Sequence, residues 1–132
     1  EGAKLLAGGK RKGVFFEPTV LTGTKPSMKV CSEEVFAPVV TLESYARFED
    51  AVAEINRSKY GLQAGVFTSR MNNILLAYET LDVGAVIVND IPTFRVDNMP
   101  YGGVKMSGFG REGVRYAIEE MTELKLLAIK QD

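Results

Sequence analysis

Histidine is absent from this 132-residue sequence, and with it go the commonest general base at neutral pH and the commonest metal ligand. Cysteine occurs once, as Cys31, so neither an internal disulfide nor a zinc cluster of the C-x-x-C kind can form. A chain without disulfides suits a reducing compartment, and the cytoplasm is the expected location. Charge of one sign is lacking too. Sixteen basic against seventeen acidic residues leave a net charge of -1, which gives no electrostatic footprint for nucleic acid or an anionic membrane. No apolar run approaches the roughly 20 residues of a membrane span, and no charged-then-apolar signal segment opens the chain. No nucleic-acid partner, membrane or metal is therefore expected. The first residue is Glu1 rather than methionine, which suggests a piece of a longer protein.

What is present is ordinary globular composition, 45% hydrophobic and 25% charged, enough for one domain with a core. Val14 to Leu21, interrupted by Pro18, and Pro38 to Ser44 are β-rich runs. Phe48, Val52 and Ile55 recur at helical spacing opposite Glu49, Asp50 and Glu54, so Arg47 to Arg57 reads as an amphipathic helix with an acidic first turn. Ala64 to Thr68 reads as a strand, and Ser69 as the N-cap of a helix carrying Ile74, Leu75, Tyr78 and Leu81, ended by Gly84. "AVIVN" is a compact β-branched run of the kind buried in parallel sheets. The alternation is βαβαβ, an α/β architecture with right-handed crossovers.

The pattern then pauses for about twenty residues, Asp90 to Gly110, far beyond the usual loop of roughly 4 to 6. Five of the thirteen glycines fall between Gly102 and Gly113, which implies close backbone approach or positive φ. Helix resumes with Val114, Ala117, Ile118 and Met121. "ELKLLAIK" follows, apolar on both faces, as a final strand that wants a neighbour on each side. Within the loop, "GFGREG" reads G-x-G-x-x-G. A dinucleotide fingerprint needs a strand immediately before it and an acidic residue about 20 positions after it, and this stretch has neither. It reads as a tight loop before a helix.

Four stretches in order carry more information: "SEEVFAP" at Ser32 to Pro38, "NRSKYGLQAGVFT" at Asn56 to Thr68, "VIVND" at Val86 to Asp90, and "PYGGVKMSGFGREG" at Pro100 to Gly113. Together they resemble the C-terminal part of the NAD(P)-dependent aldehyde dehydrogenases, over about Gly2 to Lys130. The resemblance implies that residues 1–121 are the end of the catalytic domain and residues 122–132 an oligomerisation strand, with a homodimer or tetramer formed through it. It also implies NAD or NADP as cofactor, with Glu34 on the nicotinamide-ribose hydroxyls and Phe36 against the same end of the cofactor. A carboxylate can accept from two vicinal hydroxyls, and an aromatic face restricts the ring. Ala37 stands where the family usually has glycine. On its residues alone Glu34 reads as a solvated surface glutamate.

The loop between "VIVND" and "PYGG" resembles the segment lining the aldehyde pocket, which makes Thr93, Phe94 and Arg95 candidate substrate contacts. A guanidinium there selects anionic or hydroxyl-rich aldehydes, and "TFRVDNMPYGGVK" is most similar to members that oxidise lactaldehyde, glyceraldehyde 3-phosphate and related small aldehydes. Arg95 equally reads as a surface arginine paired with Asp97. In the family the nucleophilic cysteine, the oxyanion asparagine and the water-activating glutamate precede "EEVFAP". Cys31, three residues before Glu34, does not match that nucleophile and reads as a packing residue, so no catalytic residue is assigned here. The resemblance thus implies a parent that oxidises an aldehyde to a carboxylic acid through a cysteine thioester, and a chain inactive alone. The other readings are a free-standing interaction module and a CoA-acylating relative. Arg111 and Glu112 are expected to anchor the glycine loop by charge and hydrogen bonds.

Overall fold

The computed structural model describes residues 2–131, and the chain divides into two compact units after Ala51. In the first, β1 (Lys4–Ala7) pairs antiparallel with β4 (Thr19–Thr22), and β4 pairs parallel with β5 (Val39–Thr41). A small ladder of β2 (Arg11–Lys12) and β3 (Phe15–Phe16) lies between β1 and β4 in sequence. The parallel pair is connected through the one-turn helix α1 (Lys29–Ser32), which contains Cys31. Met28, the N-cap of α1, is buried. Thr19 is buried and polar, and it is fully engaged: its hydroxyl donates to the Glu17 carbonyl at 2.8 Å and accepts from the Gly9 N–H at 2.9 Å.

Helix α2 (Phe48–Asn56) crosses the division, with Val52 buried and Glu49 and Asp50 in its first turn, as its periodicity predicts. The second unit is built on a parallel pair, β7 (Gln63–Val66) and β8 (Ala85–Val88), joined by α3 (Met71–Thr80). Ala64, Val66, Ala77 and Leu81 are buried there. The expected α/β architecture with parallel strands is present, its parallel pairing carried by β4–β5 and β7–β8.

Two expectations need correction. The N-cap of α3 is Arg70 rather than Ser69. No side chain caps it, although Thr68 Oγ1 accepts the Arg70 N–H at 3.1 Å, because the chain enters the helix one residue later than the Ser69 pattern implied. The long segment after β8 is not without structure. β9 (Val104–Lys105) pairs antiparallel with β6 (Tyr60–Gly61), and Tyr101 and Glu112 form an isolated antiparallel bridge. Beyond α4 (Val114–Glu120) the described residues form no strand, and Leu124, Leu126, Leu127 and Ile129 are exposed. A strand needs a partner for its backbone groups, and "ELKLLAIK" pairs with no strand among the described residues.

Gly84, between α3 and β8, shows why glycine is required at a packed corner. A Cβ there would fall onto the Gly102 carbonyl oxygen, while its N–H donates to the Gly61 and Leu62 carbonyls at 3.1 and 3.0 Å.

Candidate functional site

Glu34 and Phe36 belong to the first unit, in the loop from α1 into β5. Proline 38 fixes where that loop ends: the Thr19 N–H donates to the Pro38 carbonyl at 2.8 Å, so the loop arrives at the amino ends of β4 and β5. Two tight turns, Ala37 N–H to the Val35 carbonyl and Val39 N–H to the Ala37 carbonyl, shape it, with Ala37 at the junction of both. Glu34 is exposed, and its carboxylate takes no ion pair among the described residues. The Phe36 ring is 96% exposed. A carboxylate with both oxygens available and, two residues on, an exposed phenylalanine supply the acceptor pair and the apolar face that a ribose and an aromatic ring require.

Thr93, Phe94 and Arg95 belong to the second unit, on the segment leaving the carboxyl end of β8, which is where open α/β sheets place ligands. The exit is shaped by Asn89, whose φ of 58° is left-handed. Its side-chain oxygen accepts the Thr68 N–H at 2.9 Å, and its own N–H donates to the Val66 carbonyl at 2.9 Å. Asparagine tolerates this conformation because its short amide bonds locally. The segment then folds back across β7, where a Cβ on Gly65 would meet the Asp90 carbonyl oxygen at 2.7 Å.

Thr93 and Phe94 are both exposed, whereas Arg95 is held. Its guanidinium lies 4.7 Å from the centroid of the Tyr101 ring, and its Nη1 is 3.5 Å from Glu112 Oε2. The acidic partner is therefore Glu112 rather than Asp97. Asp97, two residues further on, makes no ion pair among the described residues, while the Tyr101–Glu112 bridge brings position 112 back to the loop.

The glycine loop is tied by its own residues. Arg111 Nη1 donates to the Gly103 carbonyl at 2.9 Å and to the Gly110 carbonyl at 2.7 Å, as its expected anchoring role requires. Gly108, Gly110 and Gly113 of "GFGREG" have φ of 120°, 72° and 119°, conformations that L side chains rarely adopt. Gly113 is also the N-cap of α4. A shallow depression of about 340 Å³ lies beside them, lined by Gly110, Arg111, Tyr116, Glu119 and Glu120. On α4 the Glu119 carboxylate accepts a 2.8 Å hydrogen bond from Arg115 Nε and holds that guanidinium above its ordinary pKa.

One residue escaped sequence reasoning. Lys105 is a non-glycine residue at φ 55°, and its Nζ donates to the Asn56 and Ser58 carbonyls at 3.0 and 3.2 Å, beside the end of α2. Asn56 in turn donates to the Thr80 carbonyl and accepts the Asp82 N–H at 2.8 Å, and Ser107 accepts the Gly61 N–H at 2.9 Å. The stretches "NRSKYG" and "GGVKMSG" are thus one hydrogen-bonded structure. Their joint occurrence in the sequence was the available signal.

The aldehyde dehydrogenase family profile matches residues 1–127. The chain is 50% identical over 129 residues to a 3-sulfolactaldehyde dehydrogenase of Priestia aryabhattai, covering 98% of this chain and 27% of that protein. Its fold matches a crystal structure of an aldehyde dehydrogenase from Physcomitrella patens in complex with the reaction product succinate. That match has a TM-score of 0.94 at 50% identity and covers 98% of this chain and 27% of the other. A glyceraldehyde-3-phosphate dehydrogenase from Methanocaldococcus jannaschii complexed with NADP gives 0.87 at 45% identity, covering 94% and 27%. The chain thus spans about a quarter of the length of these proteins.

Proposed function

Because the chain belongs to the aldehyde dehydrogenase family, we propose that it is part of an enzyme oxidising a small anionic aldehyde to the carboxylic acid with NAD(P)+. The observation that carries the substrate class is Arg95, a guanidinium on the segment leaving the carboxyl end of β8, stacked on an aromatic ring and still partly open to solvent. Such a group forms charge-assisted hydrogen bonds with a carboxylate, sulfonate or phosphate and offers nothing to a plain alkyl chain. The relatives point the same way, since 3-sulfolactaldehyde and glyceraldehyde 3-phosphate are both anionic aldehydes.

Glu34 would accept hydrogen bonds from the nicotinamide-ribose hydroxyls, and Phe36 would lie against the same end of the cofactor. Their exposure and chemistry fit those roles. When bound, the oxidised nicotinamide supplies the hydride acceptor. Thr93 and Phe94 line the aldehyde approach, Phe94 excluding water and Thr93 offering a hydroxyl. Cys31, within α1, is not the nucleophile. The thiolate that forms the thioester lies in the rest of the enzyme, so these residues alone turn over no aldehyde. The exposed segment Glu123–Lys130 joins a strand of a second subunit.

The test is a substrate screen of the complete polypeptide with NAD+ and NADP+. Arg95→Leu is expected to raise KM for anionic aldehydes by about 10-fold or more, given roughly 1.5–3 kcal/mol for a hydrogen bond to a charged group, and to change propanal much less. Equal effects on both substrates would return Arg95 to the surface. Turnover by the 132-residue chain alone would sink the fragment reading.

A further inference from the structure

The two contacts that hold Arg95 act differently on an incoming anion. An aromatic face attracts a guanidinium through its quadrupole without neutralising it, and stacking leaves the in-plane N–H groups available. A carboxylate competes for those same N–H groups. Tyr101 supplies the first contact, at 4.7 Å, and Glu112 the second, at 3.5 Å. The ring is carried on a fixed backbone. The Tyr101 N–H donates to the Glu112 carbonyl at 3.1 Å and the Glu112 N–H returns the bond, while Arg111 ties Gly103, two residues on. Glu112 is well exposed, its side chain 68% accessible, so water can solvate it when it is released.

We propose that Tyr101 is a positioning residue that holds the Arg95 guanidinium for the charged end of an anionic aldehyde, and that Glu112 occupies that guanidinium until the substrate displaces it. The inference rests on the reading of Arg95 as a substrate contact. Tyr101 sets how well the anion is received, and Glu112 opposes its arrival. The two side chains therefore shift specificity in opposite directions.

The experiment measures, in the complete enzyme, the KM for glyceraldehyde 3-phosphate relative to that for propanal. Tyr101→Leu raises this ratio about two- to five-fold, the range of an exposed cation–π contact. Tyr101→Phe keeps the ring and stays near the parent ratio, and Glu112→Gln lowers the ratio. Calorimetric titration with succinate reads the same changes without turnover. Tyr101→Met preserves bulk should leucine unfold the loop. If Arg95→Leu raises the ratio while Tyr101→Leu and Tyr101→Met leave it unchanged, the role of Tyr101 is overturned and the reading of Arg95 stands. An unchanged ratio in Arg95→Leu overturns both. A raised ratio in Glu112→Gln makes Glu112 a support for the guanidinium rather than its competitor, and overturns that half of the proposal.

Discussion

Lys105 adopts a left-handed backbone conformation that costs an L residue roughly 1–2 kcal/mol, a cost that the contacts around it offset, its side chain among them. Two interactions are available. The ion pair with Asp82, at 3.5 Å, faces an aspartate that is 70% exposed, and pairs of that kind contribute about 0–1 kcal/mol. The bonds to the Asn56 and Ser58 carbonyls are charge-assisted and lie at the negative end of α2, with the lysine side chain only 22% exposed. The carbonyl bonds therefore dominate. Lys105→Met is expected to lower stability by about 1–2 kcal/mol and Asp82→Asn by about 0.5 kcal/mol or less, compared as urea midpoints. Equal losses in the two variants would show that the ion pair, not the helix end, holds the lysine.

Among the elements, α3 is the one that starts poorly. Arg70 occupies its N-cap with an extended backbone and no side-chain bond to the first turn, and that turn contains no acidic residue. A cationic side chain at the positive end of a helix is also unfavourable. Arg70→Asp supplies both an acceptor and a negative charge, and should stabilise by about 0.5–2 kcal/mol, visible as a raised thermal midpoint. No rise, or a fall, would mean that Thr68 already satisfies this end. The element itself was legible, because β7, α3 and β8 each follow one period long enough to recognise. Its cap was not, since Ser69 and Arg70 differ by one residue of backbone path rather than by pattern. β1 was missed for a related reason: all four of its residues are exposed, so they lack the in-and-out alternation that marks a half-buried strand. β6 and β9 form one two-residue ladder whose strands lie far apart in sequence, beyond the reach of any window. At the candidate site, the type of Arg95 was readable but its partner was not, because Glu112 reaches it only through a bridge that tertiary structure creates.

At the scale of the whole molecule, burial is the informative quantity. A free-standing globule of 14.5 kDa exposes about 6,900 Å², whereas this chain exposes 10757 Å². The excess is in good part apolar: Phe15, Phe36, Phe109, Leu124 and Leu126 are all largely accessible, and the buried apolar side chains are mostly small. Surfaces of this kind are covered in a working protein. The isolated chain is therefore expected to bind a hydrophobic dye such as ANS and to elute in a concentration-dependent manner by size exclusion, and the complete polypeptide to do neither. A dye-silent monomer at high concentration would contradict this.

The Tyr101–Glu112 bridge also bears on the order in which this region assembles. Its two ends are separated by about ten residues, and a loop of that length closes in about 10–100 ns. Docking the same loop onto β6 requires Gly61 to find Ser107, 46 residues away, a search with a larger entropic cost. The glycine loop should thus close on itself before it has anywhere to dock. Tyr101 and Glu112 would then come to flank the position of Arg95 at the first step, ahead of the long-range contacts that seat them.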